Sequence, residues 1–390
     1  MTILHYLFWL SAIGSVYSYL VYPVMLRFCK RNRRSDPECR ALSEWPTVSI
    51  IIPVYNGADL IATKMETTLA LDYPADLLEI VVVSDGSTDC TDDIVDTYAD
   101  QGVRLLRTEK RSGKEEAQRV ALKQSSGEIV VFTDVGTTTP TESLKSLVAP
   151  FSDPGIGATS SEDGFLEDGG RPSGEGVYVR YEMWLRRLES ERATLVGLSG
   201  SYFAARRSVC ADWNTDVPSD FNVAIECARH DMYAVTAPGA KGVYADVADP
   251  SKEYTRKVRT VVRGMRGLLN RREVLNPIRY GFFAIQMWSH KVLRWAMPWC
   301  LLAVFVLSGV LSKTSTFFLW IFVAQIGAYI FAVGPEFSPS LARILPIRIL
   351  NYIGTVNIAI LYATVQVLMG RKMAAWEPTK RRPGSAGQQD

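Results

Sequence analysis

The sequence predicts an α/β domain with a largely parallel sheet, carried on membrane-spanning helices. Short β-branched runs alternate with helical stretches between residues 47 and 134. Four runs without Lys, Arg, Asp or Glu, residues 1–26, 295–312, 314–335 and 349–370, approach or exceed the roughly 20 residues that cross a bilayer core. Acidic residues gather just past the central apolar runs, at the end of a parallel sheet where ligands bind.

Each element follows in order. Residues 1–28 read as a first transmembrane helix. Its run lacks a basic leader and a small-residue cleavage site and is followed by Arg27, Lys30, Arg31, Arg33 and Arg34 in the basic linker 29–46, a signal-anchor pattern. By the positive-inside rule this cluster stays in the cytosol, so the central domain, 47–250, is cytoplasmic, the expectation being a bacterial inner membrane. Cys29, Cys39, Cys90, Cys210, Cys227 and Cys300 have no C-x-x-C spacing, which fits a reducing compartment and argues against structural zinc. His5 and His230 have no partners at metal-ligand spacing, a net charge of +2 says little about partners, and no nucleic-acid partner is expected.

In the central domain "TVSIIIPVYN", closed by Pro53 and Asn56, is a buried strand, and "LEIVVVSDGSTD" is a second ending in a polar turn. "GVRLLRT" is a third strand, "GKEEAQRVALKQSSG" a helix closed by Gly127, and "EIVVFTD" a fourth strand. Strands separated by helices imply parallel βαβ units, with Tyr55, Asp85 and Asp134 at their carboxyl ends. The absence of G-x-G-x-x-G and G-x-x-x-x-G-K-[ST] argues against a dinucleotide fold or a P-loop. Taken alone, "DGSTD" is equally a capped turn, with Ser87 or Thr88 starting a helix at Asp89.

Val177, Tyr181, Trp184, Leu185 and Leu188 recur at helical spacing and predict a core-facing helix. Residues 251–295 read as amphipathic interface helices: Arg256, Arg259, Arg263 and Arg266 line one face, and Val258, Val262, Met265 and Leu269 another, a pattern suited to docking on a membrane surface. "WSHKVLRWAMPW", 288–299, is by composition an interfacial anchor. Segment 296–370 holds about three transmembrane segments, followed by a basic tail, 371–390. Three crossings put Arg371, Lys372, Lys380, Arg381 and Arg382 outside, against the charge rule; Asn351, Gly354, Asn357 and Gln366 therefore suggest a re-entrant or interfacial last segment.

"PVYNG", "SDGSTD", Gly113-Lys114, "FTDVGT", "GLSGSYFAARR", "PSDF" and "KVLRW" occur in the order found in membrane-bound family 2 glycosyltransferases, which the chain resembles over about residues 47–296. This group includes cellulose and hyaluronan synthases and bacterial exopolysaccharide glycosyltransferases. The resemblance implies a GT-A fold, the Rossmann-like nucleotide-diphospho-sugar transferase domain. It also implies that Pro53, Tyr55, Asp85, Lys114 and Asp134 bind the nucleotide, with Asp134 the metal ligand for Mg²⁺ or Mn²⁺. The family's second acidic metal position is Gly136 here, and Thr137 or Glu162 lies near enough in sequence to supplement Asp134.

By the same resemblance Asp220 is the general base, the second member of an acidic pair whose first is Ser219 here; by itself Asp220 reads as a helix cap. Gly200 and Ser201 belong to a small-residue loop at the acceptor, and Lys291, Arg294 and Trp295 to a motif that meets acceptor and diphosphate. Lys291 stands where chain-extending synthases carry Gln, so the resemblance does not imply processive extension. "WEPTKRRPG" weakly resembles a cytosolic W-x-T-R element of the synthases.

The implied activity is inverting transfer of a sugar from a nucleotide sugar, UDP-linked by expectation, to a lipid-linked or growing polysaccharide in cell-envelope or exopolysaccharide synthesis, with membrane lipids as partners. The alternatives are a polyprenyl-phosphate monosaccharide transferase and a non-catalytic nucleotide-binding membrane scaffold. A transporter fits poorly, because the apolar runs hold no ionisable residue except His5.

Overall fold

A computed structural model describes residues 2–30, 44–165, 174–244, 250–338 and 340–371; the tail motif and most of the basic linker lie outside the described residues. Eight strands, β1 (Val48–Val54), β2 (Leu78–Ser84), β3 (Val103–Arg107), β4 (Ile129–Thr133), β5 (Thr137–Thr138), β6 (Ile156–Phe165), β7 (Tyr202–Arg206) and β8 (Tyr233–Tyr244), form one sheet in the order β3-β2-β1-β4-β7-β6-β8-β5. β1 to β4 are parallel neighbours, as the alternation predicts. β7 runs antiparallel between β4 and β6, an insertion that the strand–helix rhythm does not reveal.

All seven residues of β1 are buried because both faces of the sheet are covered, which is why the strand reads as an unbroken apolar run. Ile50, Ile52 and Val54 face Ile61 and Met65 of helix Ala58–Leu69; Ile51 faces the other way, toward Ala117 and Ala121 of helix Lys114–Gln124. Helix Ser219–Arg229 joins two cores: Val223 and Cys227 pack on the sheet, while Phe221 and Ile225 pack with Leu268, Phe283 and Met287.

Four helical stretches, Thr2–Phe28, Pro277–Leu311, Thr316–Glu336 and Leu345–Leu368, are long and apolar enough to cross a membrane by length and composition. The first packs along the second and touches the third, Phe8 clustering with Val304 and Leu311 of the second and Phe318 of the third. Each of the two carries a π-helical turn, Tyr17–Val21 and Trp288–Val292, and there Tyr17 Oη and Ser289 Oγ are 3.2 Å apart.

Two expectations are corrected. The last segment, expected to be re-entrant or interfacial, is one continuous helix of 24 residues without the break of a re-entrant course: Asn351 Nδ2 donates to Ala332 O of the neighbouring helix at 2.8 Å and Asn357 Nδ2 to Ile353 O of its own turn at 2.8 Å. Helix Pro250–Asn270 does not offer its whole apolar stripe to lipid either. Val258 and Val262 are buried on Ala359 and Ala363, whose small side chains leave room for close approach, and of that stripe Leu269 is exposed. Arg263 is spent on Glu115, at 2.7 Å.

Candidate active site

Because β7 is antiparallel to β4, the chain entering β7 sits at the carboxyl end of β4, where Thr133 pairs with Tyr202. Asp134 N donates to Ser201 O at 3.1 Å, and the loop 197–201 thereby lies against the first acid beyond β4. Lys114, the first residue of its helix, reaches the same place: Nζ is 2.5 Å from Asp134 Oδ1 and 3.0 Å from Gly200 O. Its side chain is 12% exposed, so Lys114 is not a solvated lysine of the helix end. Burial works against its charge, but the Asp134 carboxylate outweighs burial and the amine titrates above an ordinary lysine.

Asp220 also lies against that loop, next to Gly200. Its helix is capped by Pro218 without a side-chain bond, so Asp220 is not the cap that the sequence alone suggests. A Cβ on Gly200 would lie 3.7 Å from Asp220 Cγ, so glycine keeps the carboxylate face open. Gly200 therefore meets Lys114 through its carbonyl and Asp220 through its open Cα.

Asp85 is 3% exposed and is held tightly: Ser112 N and Gly113 N donate to its two oxygens at 2.8 and 2.7 Å, and Thr108 Oγ1 donates at 3.2 Å. These take about three of the four lone-pair positions of a carboxylate, so Asp85 shapes the loop that leads to Lys114. Gly113 adopts φ +99°, open to glycine at little cost, as the chain turns into the helix. The Arg111 guanidinium lies 4.0 Å over the Tyr55 ring. Pro53 sits within β1, paired with Val83. In "DGSTD" Ser87 and Thr88 tie to Asn56, and the carboxylate that bonds Thr91 N at the helix start is Asp89, not Ser87 or Thr88.

Sequence reasoning missed two groups. Lys64 is buried below Asp134, its Nζ donating to Thr133 Oγ1 at 2.8 Å and Thr137 O at 2.7 Å; burial pushes it down to about 7 although Asp134 pulls the other way. A lysine in the buried stripe Ile61, Lys64, Met65, Thr68 was the available signal. Asp163 of β6 accepts from Ser199 Oγ, and from Ser201 Oγ at 3.1 Å. No short motif marks it.

"KVLRW" divides between site and scaffold. Lys291 Nζ lies 5.7 Å from the Phe221 ring, next to Asp220, and 3.3 Å from where a Gly197 Cβ would be. Trp295, half-buried, packs on the cluster that holds Val217, Phe221 and Leu268, its ring against Gly264. Arg294 does not face Asp134: Nη1 bonds Glu182 Oε2 at 2.9 Å and Tyr178 Oη at 3.2 Å. His290 bridges Glu182 Oε1 at 3.0 Å and Glu189 Oε1 at 2.7 Å, and Tyr22 Oη donates to Glu189 at 2.6 Å. Burial opposes the Glu182 charge, but Arg294 and His290 hold its carboxyl well below the usual range. Trp288 and Trp299, 43% and 41% exposed, remain as surface anchors.

Among the described residues no group of three or more His, Cys, Asp or Glu could enclose a metal ion. Glu162 is turned away into an ion pair with Arg187 at 2.7 Å, and Thr137 is fully buried, so neither supplements Asp134.

A profile of the family described as "Glycosyl transferase family 2" matches residues 49–213, the stretch that supplies β1 to β7. Residues 49–213 are thus a glycosyl transferase family 2 domain. The family 2 domain is 34% identical over 121 residues to an N-acetylglucosaminyltransferase of Rhizobium sp. (strain N33), covering 30% of this chain and 27% of that protein. It is 30% identical over 152 residues to glycosyltransferase AglE of Haloferax volcanii, covering 38% and 50%. The chain thus spans about half or less of the length of these relatives. Among solved structures, mannosyltransferase PcManGT from Pyrobaculum calidifontis, in complex with GDP-Man and Mn²⁺, superposes with a TM-score of 0.70 at 24% identity, covering 95% of this chain and 100% of that one. The fold is GT-A, and the likeness extends over the apolar helices as well as the family 2 domain.

Proposed function

We propose that this chain is an inverting glycosyltransferase that moves a sugar from a nucleotide-sugar donor to a hydroxyl group of a lipid-linked or polysaccharide acceptor at a membrane surface. The observation that carries this reading is the meeting at Gly200 of a cation–carboxylate pair, Lys114 with Asp134, and a carboxylate without a capping role, Asp220.

In a single displacement the acceptor oxygen forms a bond to the anomeric carbon while the bond from that carbon to the donor phosphate breaks. Asp220 takes the acceptor proton, and the nucleoside diphosphate leaves with the bonding electron pair. Lys114 lies where it stabilises that developing charge. Asp85 fixes the 108–113 loop that delivers Lys114, and Tyr55 and Pro53 border the same end of the sheet. Asp134, 25% exposed at its side chain, keeps one oxygen beyond the one bonded to Lys114. A single carboxylate fits Mg²⁺ or Mn²⁺ when the diphosphate and water complete the shell, and such an ion supplies further charge neutralisation to the leaving group.

Arg294 supports the site from outside, by joining the membrane-proximal helices to Glu182. Arg27 at the foot of the first apolar helix is consistent with seating the domain on the cytoplasmic face of a bacterial inner membrane. The relatives' names make nucleotide-linked N-acetylglucosamine and GDP-mannose the first donors to test. Membranes from expressing cells are expected to release nucleoside diphosphate from one donor of a nucleotide-sugar panel with Mn²⁺ or Mg²⁺, and to lose this release in EDTA. Absence of release from every donor, in the presence of native lipid extract, contradicts the proposal.

A further inference from the structure

The sequence leaves Asp220 without the acidic neighbour that the family pattern places just before it, because Ser219 stands there. The fold brings a second carboxylate to the place from elsewhere. Loop 199–201 hangs from Asp163: Ser199 Oγ and Ser201 Oγ both donate to Asp163 Oδ1, and Arg186 Nη1 is 3.6 Å from Oδ2. Ser199 N donates to Ser160 Oγ at 2.7 Å, so the loop is clamped to β6 at two positions. Between the serines, Gly200 turns its carbonyl to Lys114 and its bare Cα toward Asp220.

We infer that Asp163 is the positioning acid of this site, holding loop 199–201 in register between Asp220 and Lys114 and supplying from β6 the second carboxylate that position 219 lacks. Asp163 acts through the loop and meets no reacting atom. This rests on the glycosyl-transfer reading above. The groups facing Asp163 are Arg186 from helix Gly174–Arg192, the two serine hydroxyls, and Asp220 from helix Ser219–Arg229. Burial chiefly, and the Asp220 charge in addition, raise the Asp163 carboxyl above the usual range against the pull of Arg186 and the serines.

The test uses the full chain in nanodiscs, labelled with [γ-¹³C]aspartate, following carboxyl shifts against pH and assigning Asp163 by the resonance lost in Asp163→Asn. Asp163 is expected to titrate above the ordinary aspartate range, and its midpoint to fall by about half a pH unit or more in Asp220→Asn, where the neighbouring charge is gone. An ordinary midpoint unmoved by Asp220→Asn overturns the inference. Where Asp163→Asn does not fold, Asp163→Glu supplies the assignment and Ser199→Ala/Ser201→Ala the test: loss of the two donors to the carboxylate raises the Asp163 midpoint, and no change overturns the inference. With the donor identified by nucleoside diphosphate release, Asp163→Asn lowers kcat about tenfold or more at a donor KM within about twofold, whereas a displaced nucleotide pocket would raise KM. Full turnover by Asp220→Asn removes the base reading, while the carboxyl titration still decides the placement of Asp163.

Discussion

At the residue scale, the site is a set of charges whose protonation is set by burial and by one another. Lys64 gives the sharpest consequence. Its amine titrates at about 7 in the fold against an ordinary 10.5, so the unfolded chain binds more protons over that window and stability rises with pH from about 7 toward 10. Thermal unfolding of the purified protein is expected to show this rise, and Lys64→Met to flatten the part due to this group; an unchanged slope in the variant contradicts it. The other site residues differ in how visible they are in the sequence. Asp85, Asp134 and Lys114 each stand directly after a strand or at a helix start, where local pattern marks a strand end or a turn. Asp163 lies inside a strand, and its partners come from about 40 and 60 residues away, a relation that periodicity does not encode.

At the element scale, the antiparallel β7 is what places Gly200 and Ser201 beside Asp134, and its direction could not be read from strand–helix alternation. The amphipathic helix Pro250–Asn270 was legible as a helix but not in its packing: an apolar stripe is the same whether it meets lipid or the Ala359–Ala363 face. Its close approach to the catalytic domain needs glycine. A Cβ on Gly267 would fall 2.8 Å from Val217 Cγ1, and Val217 is fully buried. Gly267→Val therefore costs about 1–3 kcal/mol through overpacking, read as a lower unfolding midpoint in detergent, with wild-type stability as the contrary result.

At the scale of the whole molecule, the domain and the apolar helices are joined by a buried polar chain: Tyr22 to Glu189, His290, Glu182 and Arg294. It links the first apolar helix, helix Gly174–Arg192 and the second apolar stretch, just where π-helical turns interrupt the regular winding. Glu182→Gln removes the negative partner of Arg294 and His290 and leaves buried positive charge, a loss of about 3–5 kcal/mol. Hydrogen exchange is expected to rise in both helices, and unchanged protection in the membrane-proximal one would contradict the link. The basic and apolar patterns on either side of this junction were plain in the sequence; the pairing of carboxylates with His290 and Arg294 was not, because it joins residues over 100 positions apart.

The most direct measurement is pre-steady-state release of nucleoside diphosphate by the purified chain and by Asp220→Asn, with nucleotide affinity determined in parallel. A proton acceptor acting on the acceptor hydroxyl predicts a fall of roughly 10²–10⁴ in rate with nucleotide affinity within about threefold. Release at the wild-type rate by Asp220→Asn would contradict the assignment of this cleft to base-assisted sugar transfer.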